Sequence, residues 1–312
     1  MRRRFFTLLA TACLCLMTYG SASAAGAVSI WVALSETGGA HAEAAEALRA
    51  EVEQAQPGRI EWRIAHWSQF SSSVPEPHWI VAVGTAAQRG MQELFAGDPT
   101  PPPLLAILVP RLAFERIADP ARLRGGSLSA VFLDQPPARQ LELIRLALPA
   151  VRNVGILVSA ESKAHGSGLE KAARERGMRL ATSLVGQEGL FPALQSLLAE
   201  VEVLLALPDP AVFNSQSAAN ILTAAYRRQV PLVGFSPAYV KAGALLALYS
   251  TPAQVGTRGG EVLRQTLPGK PLPPPQWPRE FAVAVNQDVA RSLGFALDQS
   301  QLGEQMRQRE RP

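Results

Sequence analysis

The stretch ARQLELIRLALPAVRNVGILVS, residues 138–159, joins two patterns that belong to different secondary structures. In its first half Leu141, Leu143, Ile144 and Leu148 share one stripe of a 3.6-residue period, while Arg139, Glu142 and Arg145 take the solvent side. The spacing predicts an amphipathic helix over 138–149. The second half, NVGILVS (153–159), is a short β-branched run without polar alternation, the pattern of a strand buried on both faces of a parallel sheet. A helix followed this closely by a doubly buried strand is half of a crossover unit, so the fold class is α/β.

The same alternation extends in both directions. Strand-like runs are VSIWVAL (28–34), WIVAVG (79–84), LLAILVP (104–110), VEVLLALP (201–208) and VPLVGFS (230–236). Helical spacing recurs in AHAEAAEALRAEVEQA (40–55), TAAQRGMQELFAG (85–97), GLEKAARERG (168–177) and AANILTAAYRRQ (218–229). Two series emerge, one from Val28 to about Leu133 and one from Asn153 to Ser236, which predicts two doubly wound parallel-sheet lobes. Late pieces follow: ALLALY (244–249), a helix over 251–269, the proline-rich KPLPPPQWP (270–278) and a last strand over 281–286. They imply several hinge crossings, with an N-terminal lobe of 27–132 plus 248–272 and a C-terminal lobe of 133–247 plus 273–298. The proline-rich stretch is read as an extended crossover. Residues 299–312 are expected to be a polar tail, whose charged end EQMRQRERP (304–312) is read as frayed helix or disorder.

Both ends of the chain colour its composition. Arg2, Arg3 and Arg4 precede the apolar FFTLLATACLCLMTYG, and Ala22-Ser23-Ala24 fits a cleavage site, so residues 1–24 read as a signal peptide for export to the periplasm. Both cysteines, Cys13 and Cys15, fall in that leader, and its removal lowers the formal net charge from +4 to +1. The full 312-residue chain is 47% hydrophobic and 18% charged, the composition of a globular protein, and without the leader's arginines it offers no basic surface for nucleic acid.

Catalytic patterns are missing. There is no G-x-S-x-G, H-E-x-x-H, P-loop or G-x-G-x-x-G, and the four histidines, His41, His66, His78 and His165, have no metal-ligand spacing. HGSG (165–168) reads as a loop that starts a helix, not as a pairing of His165 with Ser167, and GTRGGE (256–261) lies inside a helical pattern whose glycines suit close packing. No enzyme activity, metal or cofactor is expected.

Binding residues are sought where strands end, because open α/β sheets take ligands at their carboxyl edges. Gly84 closes a strand and Thr85 is placed to cap the next helix, whose free N–H groups suit an anion. Ser35 closes the first strand; Trp67, in AHWSQFSSS (65–73), is assigned to packing. On the second lobe Ser159, Asp209 with Asn214, Ser236, and Tyr249 close successive strands. Such a set suits a small zwitterion, with helix N-termini for its carboxylate and Asp209 for its ammonium. The flanking prolines of LLALPDPAVFN (204–214) leave Asp209 equally open to a pure turn role.

With IVAVGTAAQRG, DQPPARQLELIRLALPAVRNVGILVS, VEVLLALPDPAVFN, VPLVGFSPAYVKAGALLALYSTPAQVGTRGGEVL and VAVNQDVARSLGF in this order, the chain over 28–298 resembles the periplasmic substrate-binding components of ABC transporters, in the branch that includes tryptophan- and tyrosine-binding members. The resemblance implies a type I periplasmic-binding-protein fold, a small-molecule ligand held between two closing lobes, an ABC permease of the inner membrane as partner, and a monomer. It places Thr85, Ser159, Asp209, Ser236 and the Tyr249 region around the ligand. Val109-Pro110-Arg111 and GGSLSA (125–130) depart from the family pattern. Val109 and Arg111 motivate an alternative, a periplasmic sensor or scaffold of the same fold that docks on a membrane sensor kinase or outer-membrane receptor.

Overall fold

The computed structural model describes residues 28–55, 57–71, 76–187, 189–267 and 269–310. The leader expected over 1–24 lies outside the described residues. Five strands form a wholly parallel first sheet: β1 (Val28–Leu34), β2 (Ile60–His66), β3 (Trp79–Val83), β4 (Leu104–Val109) and β5 (Leu128–Phe132), in the order β2-β1-β3-β4-β5. Every residue of β3, β4 and β5 is buried, as the unbroken apolar sequences of β3 and β4 require; β5 buries Ser129 as well. Helices α1 (Gly39–Ala55), α2 (Thr85–Leu94), α3 (Arg111–Ile117) and α4 (Pro120–Arg124) connect them.

After α5 (Pro137–Ala147) a second sheet follows, built from β6 (Asn153–Val158), β7 (Arg179–Leu184), β8 (Val203–Leu205), β9 (Leu232–Gly234), β10 (Leu246–Tyr249) and β11 (Ala282–Val285). Its order is β11-β10-β9-β8-β6-β7, and only β11, at one edge, runs antiparallel to its neighbour. Helices α6 (Gly166–Glu175), α7 (Leu190–Leu198), α8 (Ala218–Arg227) and α9 (Pro237–Ala242) alternate with these strands. The protein is therefore α/β, with two doubly wound sheets in two lobes, as its sequence pattern predicts.

The next helix, α10 (Pro252–Thr266), leaves the second sheet and packs on the first. Its Val255, Val262 and Leu263 join Ile30, Val32, Leu48 and Val52 in one core. The glycines read as packing points explain how close it comes. A Cβ on Gly256 would stand 2.2 Å from the backbone oxygen of Ala44 in α1, and one on Gly260 would stand 2.8 Å from the oxygen of Leu48. Only hydrogen fits between the two helix backbones. The chain then returns along β5, where Phe132 N–H donates to the Gln276 oxygen and Gln276 N–H donates to the Ala130 oxygen, so the proline-rich stretch is an extended crossover.

The three crossings meet around one buried cation. Arg139, expected on the wet face of α5, is 8% exposed. Its guanidinium donates to Gln135 Oε1 at 2.7 Å, to the Pro278 oxygen at 3.1 Å and to the Arg279 oxygen at 3.2 Å, and lies 4.6 Å from the Phe281 ring centre. Gln135 in turn donates to Ser250 Oγ at 2.8 Å, and Ser250 Oγ donates to the Glu280 oxygen. Residues 135, 250 and 278–280, one from each crossing, are thus joined in one network.

The counter-charge comes from the polar tail, which is a packed helix where a frayed helix or disorder was expected. After α11 (Gln287–Ser292), residues 299–310 are helix α12 (Gln299–Glu310), with Leu302 and Met306 buried in the second lobe's core. Glu310 accepts two hydrogen bonds from Arg139, one of 2.7 Å through Nη2 and one through Nε. A polar helix with two apolar residues four apart is too weakly patterned to read as packed, and it is ordered by this tertiary contact.

Two stability measurements follow from this packing. Gly256→Ala is expected to lower unfolding free energy by about 1–3 kcal/mol through overpacking against α1. Gly97→Ala, at a position with nothing within 4 Å of a new Cβ, is expected to leave the urea midpoint near wild type. Glu310→Gln, which leaves Arg139 buried with only neutral acceptors, is expected to cost about 1–3 kcal/mol by the same unfolding assay.

Candidate functional site

The carboxyl ends of the two sheets are built from different local devices. Gly84 ends β3 with φ +90 and is the N-cap of α2, while Thr85 is the first helical residue and not the cap. A Cβ at Gly84 would meet Ser35 Oγ at 2.5 Å. Ser35 instead reaches across from the end of β1 and accepts the Ala87 N–H at 2.9 Å. The helix start expected to be open for an anion therefore already has one N–H filled by a neighbouring strand. Trp67, in a short turn after β2, covers Gly90 of α2: a Cβ there would meet its ring at 2.2 Å, which is a packing role.

On the second lobe Asp209 is 2% exposed and fully engaged. Its Oδ2 accepts the Ser159 N–H at 3.0 Å and the Ser162 hydroxyl at 2.6 Å, and its Oδ1 accepts the Ala211 N–H at 3.0 Å. Burial by itself would raise this carboxyl, but the bonds from Ser162, Ser159 and Ala211 outweigh it and hold Asp209 below the usual carboxylate range. It then favours the fold above that range, and the contribution is lost as pH falls through its lowered pKa. Asp209 ties the turn after β8 to the loop after β6. Asn214 has a similar local task, accepting the N–H groups of Gln216 and Ser217 and donating to the Pro210 oxygen ahead of α8. Ser236 is the N-cap of α9 without a side-chain cap bond, and Tyr249 ends β10 opposite Ala282.

These residues do not converge on one cavity. Asp209 lines a pocket between the lobes, beside Ser162 and near the first crossing, with about 480 Å³ of empty space that includes its open mouth. Asn214 borders a shallower apolar depression on the second lobe, with Phe213, Phe235 and Tyr239. Those three rings pack edge-on or tilted, with Phe235 and Tyr239 centres 4.6 Å apart. Ser35, Gly84, Thr85, Ser159, Ser236 and Tyr249 line neither.

The inter-lobe pocket instead contains residues that strand-end reasoning passed over. Arg111, the first residue of α3, donates its backbone N–H to Asp134 Oδ2 at 2.5 Å, and its side chain donates to Glu115 Oε1 at 2.5 Å and lies 5.5 Å from the Trp277 ring centre. His165 Nε2, from the second lobe, stands 2.7 Å from Glu115 Oε2, so the lobes touch here. Arg116 and Glu161 form a second, exposed pair between them at 3.2 Å. Ser167 donates to the Ala164 oxygen and is not paired with His165. The one available sequence signal was the departure at Val109-Pro110-Arg111.

Asp134 follows β5 at the entry to the first crossing. Burial pushes its carboxyl up to about 6, offset in part by the Arg111 N–H and by the nearby charges of His165 and Arg111. Burial would also raise Glu115, but its bonds from Arg111 and His165 hold it below the ordinary range. Among the described residues no helix is long and apolar enough to cross a membrane.

For Asp134 the sign of the pH effect is fixed by the raised value. Between about 3.9, the ordinary aspartate pKa, and about 6 the folded state holds more protons than the unfolded one, so stability falls as pH rises. Asp134→Asn keeps an acceptor for the Arg111 N–H but cannot ionise. Its melting temperature should exceed wild type at pH 7 and match it at pH 4. An unchanged difference between the two pH values would contradict the assignment.

Comparison with known proteins agrees with this architecture. A family model described as ABC transporter substrate binding protein matches residues 125–306, more than half of the chain. No curated protein matches it. Among solved structures, a substrate binding protein with adhesive properties from Clostridium difficile, in its ligand-free, open form, aligns with a TM-score of 0.67 at 17% identity, over 86% of this chain and 96% of that one. An ABC domain from Streptococcus pneumonia in complex with L-Trp aligns with a TM-score of 0.60 at 16% identity, over 88% of this chain and 96% of that one. A periplasmic ribose ABC transporter protein from Conexibacter woesei gives 0.52 at 14% identity, over 89% and 98%. At these identities the structures show the shared fold, that of type I periplasmic binding proteins. With the family model spanning the second lobe, both late crossings and most of α12, the chain belongs to the ABC transporter substrate binding protein family.

Proposed function

We propose that the protein is an exported solute receptor that closes its two lobes over a small molecule, an amino acid or a related compound, and presents it to an ABC permease of the inner membrane. The observation that carries this reading is the pocket between the lobes, lined from the first by Arg111 and Leu112 and from the second by His165, Leu169, Leu207 and Asp209. A ligand that touches both walls binds the closed arrangement better than the open one, and that difference is what shifts a hinge equilibrium. The crossings at 135, 250 and 278–280 supply the hinge. The leader over residues 1–24 supports export to the periplasm, and the protein would act as a monomer, without cofactor or chemistry of its own.

A thermal-shift screen against amino acids, amines, short peptides, nucleosides and sugars tests the reading. A ligand at one hundred times its Kd should stabilise the protein by about 2.7 kcal/mol, a shift well above assay noise. No stabilisation by any compound class would overturn it.

A further inference from the structure

The inter-lobe pocket has hydrogen-bonding capacity that the protein itself does not use. Gln140, on α5, is 7% exposed and lines the pocket, yet its side-chain amide has no hydrogen-bond partner in the protein. An amide at a pocket wall with no bond inside the protein is available to water or to a ligand. Asp134 lines the same space, its carboxylate accepting the Arg111 N–H and its own backbone N–H, which leaves lone pairs unused. Asp209, the acid first suited to a ligand's ammonium, is 2% exposed and already accepts three protein donors, so it offers a ligand less than Asp134 does.

Charge and shape narrow the occupant. The charged groups that line this pocket or bond to its walls are Asp134, Asp209, Glu115, Arg111, Arg139 and His165. The cations are each taken up by other carboxylates, Arg111 and His165 by Glu115 and Arg139 by Glu310, which leaves Asp134 without a cationic side-chain partner among the described residues. Arg111 is held by Glu115 and lies over Trp277, so no free guanidinium is offered to an anion. The remaining wall is apolar, from Leu112, Leu169, Leu207 and Trp277.

We infer that this pocket takes a small organic cation, a protonated amine on a short apolar stem, with the ammonium donating to Asp134 Oδ1 and to the Gln140 amide oxygen. A charge-assisted bond of this kind in a dry site is among the stronger polar contacts, and the apolar wall covers the stem. The inference rests on the receptor reading and adds the residues and the charge of the ligand. A carboxylate in the same place would face Asp134 with only the Gln140 amide to donate to it.

The test uses n-butylamine and phenethylamine as cationic probes and 3-phenylpropionate as the anionic one, by calorimetry and thermal shift at pH 7.5. The amines should bind wild type and the propionate should not. Asp134→Asn should weaken amine binding about tenfold or more. Gln140→Met, which keeps the side chain's length and removes no hydrogen bond within the protein, should weaken it severalfold while keeping the wild-type unfolding curve. Amine affinity unchanged in both variants, or preference for the propionate, overturns the inference. So does a ligand from the wider screen whose affinity both variants leave unchanged, and that result leaves the receptor reading standing. Failure of every compound to bind overturns both.

Discussion

Arg139 is the group around which the two lobes are joined. A guanidinium inside a protein must have its donors satisfied and its charge balanced. Here the acceptors are drawn from the first and last crossings and from the last residue of α12, 171 positions away in the chain, and Gln135 links the middle crossing through Ser250. The network does for the hinge what a hydrophobic core cannot. Apolar contacts are non-directional, whereas each hydrogen bond to Arg139 or Ser250 specifies where one strand of the crossing passes. The cation also lies against the Phe281 ring, which ties the entry of β11 to the same point.

Around that point the lobes are held by different means. The second lobe surrounds its sheet with large aliphatic side chains, while the first accepts α10 through a contact so close that glycine is required at 256 and 260. The helix that follows the second lobe's β10 thereby becomes part of the first lobe's core. The pocket is formed where these parts leave space, between α3 on one side and the turn before α6 on the other. It is bounded by an ion-paired Arg111, Glu115 and His165, and by an acid, Asp134, that the fold holds at some cost to its charged form. A carboxylate kept in such surroundings is the kind of feature found where a protein binds something, and the unpartnered Gln140 beside it points the same way.

Much of the fold was legible because its signals are local. The unbroken apolar runs that became β3, β4, β6 and β8 have no other soluble solution than burial on two faces, and the glycines of GTRGGE sit in a helical period that excludes a phosphate loop. Edge strands were harder to see. β2 and β7 are partly exposed along their length, so IEWRIAH and RLATSL lack a continuous apolar run. The site was less legible still. Ser35, Gly84 and Asn214 were found at strand ends as expected, but serving helix starts and turns, because the residue types that bind ligands are the same ones that satisfy loose backbone groups.

The sequence by itself determined the α/β class, the two series of strands and helices, and the extended character of the proline-rich crossing. Each depends on periodicity and on backbone preferences that act over a few residues. Only the tertiary structure decided which polar groups are spent within the fold and which remain free. Asp209 and Asp134 each follow a strand, yet one accepts donors from Ser159, Ser162 and Ala211 that tie two loops together, and the other accepts only backbone N–H groups and faces a pocket. The difference lies in what distant segments bring within about 3 Å, the reach of a hydrogen bond, and no local pattern encodes that.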